Sequence, residues 1–187
     1  MPEKWKGDVI AQYHSSLDKD GDGIDDQVDI LEGAIAYVNT HPKYKSAYYA
    51  GGYPNDGYGV CTDVVAYALK VAGYDLMELV SADIAMHADV YDIEVADKNI
   101  DFRRVKNLYV FFNLNAESLT TDIKDIKSWQ GGDIVIFNNH IAIVSDRRNQ
   151  DGIPYVIHHA NPFQKTYEED ILEKHDDIRG HYRWNKG

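Results

Sequence analysis

The stretch G-Y-G-V-C-T-D-V-V-A-Y-A-L-K-V-A-G, residues 57–73, contains Cys61, the one cysteine of this 187-residue chain. Apolar residues from 64 to 72 recur at three- and four-residue spacing and Gly73 follows, which predicts a helix that begins at the cysteine. Unpaired N–H groups and the positive end of the peptide dipoles favour a thiolate at such a position. The alternative is a small buried cysteine without chemistry.

Length and charge exclude several classes of protein. A chain of 187 residues suits one domain that buries about 70% of its unfolded surface without disulfides. The formal net charge of −12 argues against a nucleic-acid partner, which needs a basic surface. No apolar run is long enough for membrane insertion. The N-terminal residues lack the apolar core of a signal peptide, so an export signal is not visible in this chain.

An acidic stretch, D-K-D-G-D-G-I-D-D-Q-V-D at residues 18–29, has the spacing of a calcium loop. It predicts one structural Ca²⁺ with Gly23 at the sharp turn and with ligands from Asp18, Asp20, Asp22, Ile24 (by its carbonyl), Asp26 and Asp29. The last position is Asp rather than Glu, so the loop resembles those of bacterial surface proteins and thrombospondin-type repeats more than a sensor EF-hand. A solvated acidic turn is the alternative.

The order of periodic segments predicts an α+β domain in which N-terminal helices pack on an antiparallel β-sheet. A short amphipathic lead-in is expected over residues 1–17, and the N-terminal segment 1–43 precedes one compact unit, 44–187. Helices are expected at 28–40 and 75–88, and a strand or short helix at 105–112. Strands are expected at 133–137, 140–146, 155–159 and 178–184.

Tyrosines and arginines offer candidate substrate contacts. Tyr58 lies three residues before the cysteine, where its hydroxyl or a backbone N–H is placed to stabilise an oxyanion. Arg103 and Arg104 beside Asp101 are candidates for a substrate-carboxylate clamp, with an internal ion pair as the alternative. Four tyrosines in the preceding loop are candidate cleft walls: Tyr48, Tyr49, Tyr53 and Tyr58.

Two histidines are predicted to be neighbours. His140 opens one strand and His158 closes the next, and in an antiparallel pair these two ends lie side by side. A thiol, a first imidazole that takes its proton and a second group that orients this imidazole form a nucleophilic set. An open three-ligand zinc site built from the same three side chains is an alternative.

These motifs resemble a known family. A cysteine at a helix start, then G-D-I-V-I-F, H-I-A-I-V-S-D and V-I-H, resemble the NlpC-type cell-wall cysteine peptidases, a papain-like superfamily. More closely, G-V-C-T-D-V-V, N-I-D-F-R-R-V-K-N-L, V-I-H-H and G-H-Y-R resemble the bacterial family called domain of unknown function 1287. The resemblance runs from Tyr44 to Trp184 and leaves out the acidic loop.

The resemblance implies an NlpC-type fold and a cysteine hydrolase that cleaves an amide bond in peptidoglycan stem peptides, without a cofactor for catalysis. It makes Cys61 the nucleophile, His140 the base and then acid, and His158 the orienting residue, with His159 and Asn161 as rivals for that last role. Val60 and Thr62 depart from the NlpC pattern around the cysteine, which bears on specificity. We expect a monomer in the cell envelope or outside the cell. A calcium-stabilised module that binds wall peptides without cutting them is the alternative.

Overall fold

A computed structural model describes residues 4–185 as a mixed helical and antiparallel-sheet (α+β) protein, which confirms the predicted class. The helices are α1 Asp26–Val38, α2 Cys61–Val71, α3 Leu76–Met86, α4 Ala88–Tyr91, α5 Lys98–Asp101 and α6 Val105–Asn115. The strands are β1 Lys43–Tyr44, β2 Tyr58–Gly59, β3 Glu117–Leu119, β4 Ile134–Phe137, β5 Ile141–Arg148, β6 Pro154–Ile157, β7 Glu168–Glu169 and β8 Ile178–Arg183. None of the described helices is both long and apolar enough to cross a membrane.

Six strands form one antiparallel sheet in the order β3-β8-β4-β5-β6-β7. Side chains alternate between the two faces along each strand. Ile134 and Ile136 of β4 therefore join the core beneath the helices, whereas Val135 and Phe137 join a second core around Trp129. Both faces of the central strands are buried, and this double burial fixes the strand register.

Helices α1 and α2 pack closely on each other and on the sheet. Gly33 makes this approach possible, because a Cβ atom there would lie only 2.9 Å from Cβ of Val71 and 3.0 Å from the Ala68 carbonyl oxygen. Gly73, which follows α2, has a φ of +85° and ends the helix as predicted. The cysteine at the other end of α2 is thus mounted on a rigid element.

The expected amphipathic lead-in is wrong for the part of residues 1–17 that the structure describes, since residues 4–17 form no helix. Gln130 explains the difference. Its side chain accepts a hydrogen bond from the Tyr13 N–H and donates one to the Ala11 carbonyl, so these backbone groups pair with a distant side chain instead of along a helix.

For residues 105–112 the helical alternative is the correct one, because α6 buries Leu108, Phe111 and Phe112 at helical spacing.

Candidate active site

Cys61 is the first residue of α2, and its side chain is partly exposed. The extended residue before it, Val60, donates its N–H to Oδ2 of Asp63 at 2.8 Å, which fixes the entry of the chain into the helix. Burial nevertheless raises the pKa of the thiol to about 11, while the backbone N–H of Ile141 acts in the opposite direction. Burial therefore opposes the thiolate that the helix N-terminus favours, and the reactive thiolate stays a prediction.

Arg103 belongs to an internal ion pair and not to a substrate clamp. Its Nε and Nη2 atoms lie 2.8 and 2.9 Å from the two carboxylate oxygens of Asp63, and Nη1 donates to the Ala47 carbonyl at 2.7 Å. The Arg103 side chain is 2% exposed and that of Asp63 is fully buried, so the guanidinium is not accessible to a substrate. The Arg104 side chain is 48% exposed, and its Nη1 atom lies 4.0 Å from Oδ1 of Asp101. Its proposed role in binding a substrate carboxylate stays a prediction.

His140 and His158 meet as the strand order predicts. His140 precedes β5 and His158 follows β6, and the pairing of Ile143 with Ile157 brings these ends together. Nε2 of His140 lies 2.8 Å from Nδ1 of His158. Phe137 lies nearly parallel to the His140 ring, with the ring centroids 5.9 Å apart. The first imidazole is thereby held between its partner and an aromatic side chain.

A third group, Glu169, completes this chain of contacts, and the sequence analysis missed it. Its Oε2 atom lies 2.8 Å from Nε2 of His158, at the far side of the ring from His140. Gln164 braces both, donating to the same carboxylate oxygen and to the His158 carbonyl at 3.1 Å. Glu169 lies on β7, so only the pairing of that two-residue strand with β6 reveals it.

The imidazoles are neutral at ordinary pH. Burial, with the nearby His158 and His175 rings, lowers the pKa of His140 to about 3. Burial and the neighbouring His175 and His159 lower the pKa of His158 to about 4. The backbone N–H of Ile141, the residue after His140, approaches the Cys61 sulfur, and this contact brings the thiol to the histidine pair.

The two rivals of His158 point elsewhere. His159 packs edge-on against the rings of Tyr44 and Tyr167, and among the described residues its buried Nδ1 has no hydrogen-bond partner. The Asn161 side chain is exposed and accepts the Phe163 N–H. One step along the strand turns the side chain to the other face, which separates His159 from His158.

A cleft of about 340 Å³ lies beside these residues, and Tyr58, Tyr44, His159 and Gln164 line part of it. Cys61 and His140 are not among the residues that line this cleft, although burial and the nearby Cys61 raise the pKa of the Tyr44 phenol that does. Three of the tyrosines expected as cleft walls instead bond to carboxylates away from it, in the pairs Tyr48–Asp97, Tyr49–Asp56 and Tyr53–Asp75. Tyr58 is the predicted tyrosine that lines the cleft, and Tyr44 was missed.

The histidine site has few ring nitrogens available to bind a metal ion. Both ring nitrogens of His158 are already paired, which argues against the zinc alternative. Within residues 4–185, carboxylate atoms suited to an ion converge in the acidic loop, where those of Asp18, Asp20 and Asp22 lie within 4.8 Å of one another.

The predicted ligand Asp26 is fully buried and has hydrogen-bond partners on both carboxylate oxygens. Its Oδ1 accepts the Lys19 N–H at 2.8 Å, and its Oδ2 accepts the Tyr74 hydroxyl at 2.5 Å. The Ile24 N–H donates to Asp22 at 2.8 Å, and the proposed role of the Ile24 carbonyl stays a prediction. Asp29 lies buried on the first turn of α1.

Comparison with known proteins places the chain in a family. It is 37% identical over 168 residues to the uncharacterized protein YijF of Escherichia coli (strain K12), covering 83% of this chain and 80% of that protein. No solved structure matches it. The profile of a family described as domain of unknown function (DUF1287) matches residues 31–184, which include every histidine-site residue and leave out the acidic loop. The chain therefore belongs to the DUF1287 family.

Proposed function

We propose that this protein is a cysteine hydrolase that cleaves an amide bond, with Cys61 as the nucleophile. The observation that carries the proposal is the contact chain His140–His158–Glu169, with the Ile141 N–H, next to His140, approaching the Cys61 sulfur at the start of α2. The NlpC-type papain-like fold is part of the same proposal, supported by the sequence motifs and by a helix-mounted cysteine against an antiparallel sheet.

The contact chain supports one proton arrangement. The Glu169 carboxylate only accepts, so Nε2 of His158 carries a proton and donates it. Nδ1 of His158 is then an acceptor, and Nε2 of His140 donates to it. The proton of His140 is thereby held on Nε2, which leaves Nδ1 as a free base. Glu169 thus sets the tautomer that a thiol nucleophile requires.

The chemistry follows from this arrangement. The Cys61 sulfur attacks the amide carbon as its proton moves to Nδ1 of His140, and the Cys61 N–H, with Tyr58, stabilises the oxyanion. Collapse breaks the C–N bond, and His140 passes the proton to the leaving amine. Water then attacks the thioester, gives its proton to His140, and restores the thiol as the carboxylate product leaves.

The substrate proposed is a peptidoglycan stem peptide, and a cell-envelope or extracellular location is proposed with it. Both rest on the resemblance to NlpC-type peptidases. The cleft beside Cys61 is compatible with a short peptide, because tyrosine rings and the polar groups of His159 and Gln164 line it. We propose that the protein acts as a monomer.

Mass spectrometry of stem peptides incubated with the protein tests the proposal. We expect two fragments whose summed mass exceeds the substrate by one water, and no fragments with Cys61→Ala or His140→Ala. Calorimetric binding of the same peptides with no cleavage by the wild type would overturn the hydrolase and favour the binding module. The raised thiol pKa is the observation that favours this second candidate, because the thiolate is the nucleophilic form.

A further inference from the structure

The acidic loop brings three exposed carboxylates together before α1. Carboxylate atoms of Asp18, Asp20 and Asp22 lie within 4.8 Å of one another. Gly21 and Gly23 have φ values of +75° and +94°, a conformation that a β-carbon disfavours, and this allows the tight loop. Without a cation, three carboxylates at this separation repel one another.

A fourth carboxylate supplies the independent observation. Asp29 is 3% exposed, and within the part of the chain that the structure describes its Oδ2 atom has no hydrogen-bond partner. The loop lies against the first turn of α1, because the Lys19 N–H donates to Oδ1 of Asp26 at 2.8 Å, and Asp29 follows three residues later on the same face of that helix. A buried oxygen without a partner is costly and calls for an explanation such as a bound ion.

We propose that the loop binds one Ca²⁺ ion through Asp18, Asp20, Asp22 and the buried Asp29, with Asp26 outside the ligand set. Hard oxygen ligands on a flexible glycine-containing loop suit Ca²⁺, whereas Mg²⁺ demands a small and rigid octahedron and Zn²⁺ prefers nitrogen and sulfur ligands. The ion satisfies the unpaired oxygen of Asp29 and offsets the repulsion among the three exposed carboxylates.

The ion would join the loop to two helices. Asp29 belongs to α1, while Asp20 lies against the C-terminal end of α2, where a Cβ atom on Gly73 would be 3.2 Å from the Asp20 Cβ. The Tyr74 hydroxyl, just beyond this point, bonds to Asp26. Cys61 is at the opposite end of α2, roughly 16 Å away for an 11-residue helix. The ion is therefore a structural support and not a participant in thiol chemistry.

Calorimetry and thermal unfolding of the full chain test this site. After removal of bound metal by EDTA, we expect one Ca²⁺ per chain and a rise in the unfolding temperature on adding CaCl₂. Asp22→Asn removes an exposed ligand with little risk to folding, and Asp29→Asn removes the buried one. Each variant should weaken Ca²⁺ binding at least tenfold, whereas Asp89→Asn, a charge-matched change at an exposed position, should not.

Three outcomes would overturn the proposal: no heat of binding in the wild type at millimolar Ca²⁺, equal affinity in Asp22→Asn and wild type, or equal affinity for Mg²⁺ and Ca²⁺. Loss of binding in Asp89→Asn as well would show that net charge, not a defined site, attracts the ion. None of these results depends on hydrolase activity, so the calcium site and the proposed function stand or fall separately.

Discussion

At the scale of single residues, position in the sequence identifies candidate ligands and catalytic groups, but it does not show which of them has the role. Asp26 and Asp29 fit the calcium spacing equally well, yet the Tyr74 hydroxyl donates to Asp26, whereas Oδ2 of Asp29 has no hydrogen-bond partner among residues 4–185. Cys61 and His140 follow from motif and strand order, whereas Glu169 sits in an acidic run without any signal. Such choices depend on partners that are distant in the chain, and no local pattern encodes them.

The role of Glu169 gives the prediction at this scale. In Glu169→Gln an uncharged amide replaces the carboxylate that accepts from Nε2 of His158 and from Gln164, so the hydrogen bond that holds the proton on Nε2 of His158 is weaker. The tautomer that leaves Nδ1 of His140 as a free base for the thiol is then less populated. We expect kcat to fall about 10²–10⁴-fold with KM little changed, because the loss is in proton transfer and not in binding.

Kinetics on the substrate identified by mass spectrometry would measure this effect, with Glu94→Gln, an equal change at an exposed position, as the control. The pH dependence of kcat should change with Glu169→Gln, which a purely structural defect would not cause. A variant within twofold of the wild type at every pH would remove Glu169 from the mechanism.

At the scale of elements, hydrophobic periodicity is a good guide where a segment buries one face. It predicts α1 and α2 and the strands β4, β5, β6 and β8, each of which packs into one of the two cores. The predicted amphipathic N-terminal segment is wrong because the backbone groups of Ala11 and Tyr13 form hydrogen bonds with the side chain of Gln130, far along the chain. Strand β7 has only two residues, both glutamates, so it offers no alternation to detect.

The ion pair between Asp63 and Arg103 ties α2 to the loop before α6. Replacing Arg103 by Met leaves the Asp63 carboxylate buried and unpaired, and we expect a loss of about 3–5 kcal/mol in the free energy of unfolding, measured by urea denaturation. Arg104→Met, its exposed neighbour, should change this free energy by about 0.5 kcal/mol or less.

A double variant separates charge from packing. Asp63→Asn combined with Arg103→Met removes the buried charge and keeps an oxygen for the Val60 N–H, so part of the lost stability should return. Arg103→Met alone could lower the free energy of unfolding by less than about 1 kcal/mol, which is the range for an exposed ion pair. That result would show that the buried pair does not stabilise the fold as its geometry indicates.

At the scale of the whole molecule, α2 links two sites of opposite character. Its first residue is Cys61, which the Ile141 N–H next to His140 approaches, and its far end is braced by an acidic loop that lies outside the family's matched residues. The histidine site is built into the shared core, and the loop is an addition to it. We therefore expect pH to act on this protein mainly through the core and calcium mainly through the loop.

The acid response follows from the neutral histidines. The pKa of His140 is about 3 in the folded protein against about 6.5 when unfolded, so between these values the unfolded chain binds more protons. Stability should fall as pH drops below about 6.5, and the loss should be complete only below about pH 3. His158, with a pKa of about 4, acts in the same direction.

Urea denaturation at pH 7 and pH 4 measures this loss. In His140→Asn the difference between the two pH values should shrink by more than about 1.4 kcal/mol, the free energy equivalent to one pKa unit. His41→Asn is the matched control, since His41 is exposed and its left-handed backbone, with φ of 52°, tolerates Asn. An unchanged pH dependence in His140→Asn would mean that the pKa of His140 in the folded protein stays close to its unfolded value of about 6.5. Burial would then not hold His140 neutral, and near that pH a fraction of it would be an imidazolium, which cannot take the thiol proton that the hydrolase proposal assigns to it.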